Sequence, residues 1–140
     1  VVQIPGEGWR LGLTRFNALI DEHPDVKLLL LRYVLAAMTQ MGRNVVCAQS
    51  HDIVARCARW ILLAHDDIDG DTYSLTQEYL ARILGVTRPS ISAAASALKR
   101  EGLIRYVRGE VTITNRAGLE AVACGCYAAM TREFDRLRAM

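Results

Sequence analysis

The sequence predicts a mainly α-helical chain with one small β-hairpin, on three observations. From Pro24 to about Ser50, apolar residues recur at helical spacing along a single stretch. Further on, a short amphipathic segment runs into Gly85, and a second begins at once after it. Two short alternating runs then flank Arg108-Gly109-Glu110, which reads as a hairpin turn.

Composition narrows the classes available. With 140 residues, 51% of them hydrophobic and 23% charged, the chain is globular, and long enough for one domain plus an appendage. The longest apolar candidate, Val26 to Met38, is broken by Lys27 and Arg32, so no membrane span is expected. No secretory pattern opens at Val1, and the expected compartment is the cytoplasm. The net charge of +2 is unevenly spread. Asp66, Asp67, Asp69 and Asp71 form an acidic patch, whereas Thr76 to Arg116 carries seven bases against three acids, a local +4 that suits a polyanionic partner.

The elements follow in order. Residues 1–23 hold Pro5, three glycines and one strand-like piece, Val1 to Ile4; they cannot bury a core and read as a connector from something larger. Pro24 starts a helix over 24–50, which would span roughly 40 Å at about 1.5 Å per residue. One of its stripes runs Leu28, Leu31, Leu35, Met38, Gly42, Val45 and a second runs Leu30, Val34, Ala37, Met41. A helix apolar on two sides needs two partners. The first stripe is expected to form a homodimer seam through Leu28, Leu31, Leu35, Met38 and Val45, with a neighbouring domain over the other face. A long central helix of a monomeric bundle is the alternative.

Residues 51–140 are expected to form the second unit. Ser50 or Asp52 caps a helix whose inward face is Ile53, Cys57, Trp60, Ile61 and Ala64. The acidic segment with Gly70 is a loop, and the rest reads helix, turn, helix, hairpin, helix. Thr76 precedes the first of these helices, with Leu80, Ile83 and Leu84 facing inward. Ala81 allows close crossing, Gly85 supplies the positive φ of the turn, Val86 plugs it, and Thr87 caps a helix over 87–101 with Ile91, Ala94 and Leu98 inside. Strands from Leu103 to Val107 and from Val111 to Thr114 complete a winged helix-turn-helix behind a long dimerisation helix. In the last helix, Leu119, Val122, Cys126, Met130, Phe134 and Leu137 form one apolar stripe.

The residue types of the second motif helix suit duplex DNA. Ser92, Ala93, Ser96 and Ala97 keep its outer face slim enough for a major groove about 12 Å wide. Arg88 can pair bidentately with a guanine edge, and Pro89 or Ala93 can touch thymine methyls. Thr87 and Ser90, with the helix amides, can take phosphate; Thr76 and Gln77 belong to the same expected surface. Arg108 at the wing tip and Lys99 and Arg100 at the helix end are candidate backbone contacts, or else solvated charge. Pro89 disfavours helical backbone in the residue before it, which would leave Arg88 at the cap.

At these residues the chain resembles the Crp/Fnr family of bacterial transcription regulators. The likeness runs through LLLRYVLAAMTQ, VARCARWILLAHD, SLTQEYLARILGVTRPSIS and LKREGLIRYVRGEVTITNRAGLEAVACGCY, nearly the whole chain. The resemblance implies a β-roll sensor followed by a dimerisation helix and a winged-helix reader, acting as a homodimer at promoters with RNA polymerase as a partner. Here only VVQIPGEGWRLGLTRFNALI corresponds to the end of the sensor. A cyclic nucleotide or other effector would need the missing upstream domain, so no cofactor is expected in this chain. Of the Arg-Glu and later Arg that the family's cyclic-AMP receptor carries, Arg88, Pro89 and Ala93 keep only the first. The operator of a relative does not transfer.

Other functions are less well supported. His23, His51 and His65 are scattered and no glycine-rich phosphate loop occurs, so neither a catalytic residue nor an enzyme is expected. A winged helix that docks proteins is the main alternative. Cys47, Cys57, Cys124 and Cys126 show no CxxC pair and no zinc-ligand spacing, which predicts buried apolar thiols and no metal site. Cys124 falls outside the apolar stripe that holds Cys126 and is the one thiol worth testing for exposure, which leaves a cysteine-based redox regulator as a further alternative.

Overall fold

The end of the 27-residue helix is where burial rises, from a long helix that buries only two residues to a packed domain. The computed structural model describes residues 7–139; the strand-like Val1–Ile4 lies outside them. Helix α1 (Leu13–Glu22) buries no residue, and α2 (Pro24–Ser50) buries only Ala36 and Cys47. Pro24 stands at the first position of α2, where its missing N–H costs nothing. Among the described residues, no helix is long and apolar enough to cross a membrane.

Asp52 turns the chain into α3 (Ile53–His65), its Oδ1 accepting from the amides of Val54 and Ala55 at 2.9 and 3.0 Å. That cap is worth about 1 kcal/mol. The loop after α3 leads into β1 (Thr72–Ser74), then α4 (Gln77–Leu84) and α5 (Arg88–Arg100). The wing is β2 (Ile104–Val107) and β3 (Glu110–Ile113), followed by α6 (Arg116–Val122) and α7 (Cys126–Arg138).

The turns match their residues. Gly85 takes φ +65°, closing the α4–α5 turn with its amide on the Ala81 carbonyl. Arg108 and Gly109 take φ +50° and +85° between the paired Val107 and Glu110, which is a two-residue hairpin turn of type I′. The core beneath α5 includes Ile61, Leu62, Leu80, Ile91, Leu98, Val111 and Leu119, all at most 1% exposed.

Four expectations need correction. The hairpin is a three-stranded antiparallel sheet in the order β1-β3-β2, with Tyr73 opposite Val111. Three residues are too few to show an alternating pattern, so β1 had no signature of its own. The last helix is two: the chain breaks between Val122 and Cys126, and α7 folds back on α2, where Phe134 meets Tyr33 edge to face at 6.5 Å.

That return sets which face of α2 is covered. It is the one bearing Ala36, Asn44 and Cys47, while Val34 and Met41 of the expected covered stripe stay 52% and 68% exposed. Finally, α3 buries Arg56 and Arg59 beside the expected Cys57 and Ile61, whereas Ile53, Trp60 and Ala64 are only half-buried. Arg56 donates to the carbonyls of Leu84 at 2.5 Å and Ala48 at 3.5 Å, and so closes the C-terminus of α4 onto α2.

Candidate nucleic-acid interface

The outer surface of α5 is built from its cap upward. Thr87 is the N-cap, its Oγ1 accepting from the Ser90 amide at 3.4 Å and lying 2.9 Å from the Ser90 Oγ. Arg88 is the first helical residue, not the cap, and Pro89 follows within the first turn. Arg88 is helical although Pro89 follows it, so the proline preference is overridden here and does not leave Arg88 at the cap. Arg88, Pro89, Ser92, Ala93 and Ser96 are exposed, and with Gln77 they line one open depression; Ala97 is half-buried. The buried side is Ile91, Ala94, Ala95 and Leu98.

The wing borders a second hollow. Thr76, Gln77, Glu78, Arg88 and Arg108 share an open cleft of about 430 Å³. Thr76 caps α4, its Oγ1 accepting from the Tyr79 amide at 3.2 Å. Two bonds tie the wing to this cap: the Leu75 amide donates to the Gly109 carbonyl at 2.8 Å, and the Tyr106 hydroxyl donates to the Leu75 carbonyl. Burial pushes the Tyr106 phenol up to about 12, which keeps that donor protonated. The wing tip is therefore held in a set position beside α4.

Charge along α5 and the wing is mainly basic: Arg88, Lys99, Arg100, Arg105 and Arg108 are exposed, against the exposed Glu101 and Glu110. Glu78 is paired with Arg82 at 3.6 Å on α4. Arg116 does not join them. It is held by Asp66 at 2.6 Å, Glu120 at 2.8 Å and the His65 Nδ1 at 2.7 Å, with the Tyr127 hydroxyl on the same Asp66. The Asp66 hydrogen bond raises the Arg116 pKa further, so this network is structural.

The remaining candidates lie elsewhere. Leu28, Leu31, Leu35, Met38 and Val45 form an open apolar stripe on α2, each between 48% and 64% exposed. Cys124 is buried, as the reading of the thiols as small apolar residues has it, and it is Cys126 that is half-exposed. The break before α7 ends the helical period that would have turned Cys124 outward.

The description "Crp-like helix-turn-helix domain" matches residues 55–122. Among solved structures, a CRP-family transcriptional regulator from Thermus thermophilus is 28% identical, with a TM-score of 0.54 over 61% of this chain and 47% of that one. A second regulator of the CRP/FNR family from the same organism is 22% identical, with a TM-score of 0.55 over the same shares, 61% and 47%. A CooA mutant from Carboxydothermus hydrogenoformans is 19% identical, with a TM-score of 0.65 over 78% of this chain and 54% of that one. The last two speak for the fold alone. The chain spans about half the length of these structures. No curated protein matches it in sequence. Residues 55–122 thus match a Crp-like helix-turn-helix domain, and the chain is similar in fold to Crp/Fnr transcription regulators.

Proposed function

We propose that this chain reads duplex DNA as a homodimer, with α5 of each copy in successive major grooves of a two-fold promoter site. The observation that carries it is the outer face of α5: Arg88 in the first turn, then Ser92, Ala93 and Ser96 exposed with no bulky side chain among them. Such a face suits a groove about 12 Å wide, and a residue in the first turn points at base edges. Arg88 is assigned to a guanine, with Pro89 and Ala93 against thymine methyls. Thr76, Gln77, Thr87, Ser90, Lys99 and Arg108 are assigned to the phosphate backbone. The open apolar stripe on α2 supports the second copy, because an exposed row of five large side chains on so long a helix calls for a matching surface. By its likeness to Crp-family regulators, RNA polymerase is the expected protein partner at such a site.

Selection of bound sites from random duplex, followed by footprinting, tests this reading. Two inverted half-sites about 10 bp apart, centre to centre, are expected. Protection of one isolated half-site by a single chain would contradict it. A winged helix used only to dock proteins would give no salt-dependent shift on random duplex.

A further inference from the structure

Two pairs of side chains, distant from each other in sequence, meet where α2 ends. Cys47 lies in the last turn of α2 and His51 just beyond it; Cys124 lies in the connection before α7, and Cys126 is the first residue of α7. Their ligand atoms all stand within 4.8 Å of one another. Cys47 Sγ is 3.5 Å from Cys124 Sγ, and Cys126 Sγ is 3.9 Å from His51 Nδ1. Around a tetrahedral ion with bonds of about 2.3 Å to sulfur and about 2.0 Å to nitrogen, neighbouring ligand atoms stand roughly 3.5–3.8 Å apart. The cluster is therefore close to that size already. We propose that Cys47, His51, Cys124 and Cys126 form a closed tetrahedral site for a divalent zinc-type ion, joining the end of α2 to the start of α7.

Local structure explains how the four converge. Cys47 and His51 are four residues apart, one above the other on the same side of the helix end. The Cys124 amide donates to the Ala55 carbonyl at 3.4 Å, which holds the connection against α3. Three thiolates and one imidazole are the soft, fully protein-supplied set of a structural zinc ion, not the open set of a catalytic one. Binding would release the thiol protons to solvent and leave a centre of net charge −1.

Arg59 offers the balancing charge. It is 2% exposed, donates to the neutral Asn44 Oδ1 at 3.0 Å and Met130 Sδ at 3.2 Å, and makes no ion pair among the described residues. A Cys47–Cys124 disulfide accounts for neither His51 nor Cys126, and the two sulfurs stand well beyond the bonded length of about 2.05 Å.

The test uses the full chain, purified under reducing conditions and titrated with Co²⁺ by absorption, then with Zn²⁺ against a chromophoric chelator. The expected result is one ion per chain, with the intense visible bands of tetrahedral Co²⁺ and a thiolate charge-transfer band. Cys126→Ser and His51→Ala change half-exposed residues, and thermal unfolding in chelator checks that both fold. Each should weaken the ion by at least the roughly 10–100-fold that loss of an outer-shell partner costs. Weak octahedral Co²⁺ bands, no uptake, or an affinity unchanged in Cys126→Ser would each overturn the site.

A consequence rests on the proposed DNA reading: the ion would set the angle between the α2 seam and α5. If chelation strips the ion and leaves DNA affinity and half-site spacing unchanged, that consequence fails while the site stands. If a metal-loaded chain ignores DNA, the reading of α5 fails, and the Co²⁺ spectrum still reports the site.

Discussion

Arg88, in the first turn of α5, and Arg108, at the tip of the β2–β3 turn, line the same open cleft. The wing bonds from Leu75 to Gly109 and from Tyr106 to Leu75 hold Arg108 there. Two cations on separate elements therefore face one hollow, and their roles can be separated by experiment. Arg88→Ala should lose about 1–3 kcal/mol at the selected site and relax preference at one base pair per half-site. Arg108→Ala should weaken all duplexes alike and lower the salt slope by about one. Equal loss on selected and random duplex for Arg88→Ala would make it a phosphate clamp, with recognition left to DNA shape.

The α2 stripe predicts a change of mass. Leu35 is 64% exposed in the single chain, and Leu35→Asp would place a charge in the seam. Light scattering should show a dimer for the parent and a monomer for the variant. An unchanged dimer would move the seam to another face.

Gly118 is a packing constraint at the base of the wing. A Cβ built there would meet Leu103 Cδ2 at 2.6 Å and Asn115 Nδ2 at 2.8 Å, and Asn115 caps α6 by accepting from the Gly118 amide. Gly118→Ala should destabilise the domain by about 1–3 kcal/mol in urea unfolding, because both neighbours would have to move. A midpoint equal to the parent's would show that Leu103 and Asn115 give way freely.

Alkaline pH should weaken the wing. Burial raises the Tyr106 phenol from its ordinary 10.0 to about 12 in the folded chain. A group whose folded pKa is raised contributes stability that is complete below its unfolded pKa and is lost as pH climbs towards the folded one. Unfolding measured from pH 9 to 12 (a window set by those two values) should therefore show stability falling above about pH 10. Tyr106→Phe should be less stable at neutral pH by about 1 kcal/mol and should show a smaller alkaline loss. Equal alkaline slopes in the two proteins would assign the effect to Tyr73 and Tyr127, whose phenols burial also raises.

Much of this chain was legible one segment at a time. The span of α2, the caps at Thr76 and Thr87 and the turn at Gly85 appear where the residues imply; Asp52, not Ser50, caps α3, and the wing turn is Arg108-Gly109 alone, because Glu110 already pairs with Val107. Each depends on interactions within about four residues: a capping oxygen on a nearby amide, a proline at a helix start, a positive φ. The outward set of α5 follows too, since helical period alone opposes Ser92 and Ser96 to Ile91 and Leu98.

What only the tertiary structure decided was every pairing between distant segments. Strand β1 exists because Tyr73 finds Val111 across the sheet. Arg56 and Arg59, charged residues in an apolar helix, are buried because Leu84, Ala48, Asn44 and Met130 arrive from other helices to accept from them. The break before α7 turns that helix back onto α2, which selects the covered face of the long helix and brings Cys124 and Cys126 to Cys47 and His51. Caps and periods carry their energy along the chain and so are written into its order. A face is covered, or a cluster formed, only when separate segments share a volume, and no local pattern records which ones will.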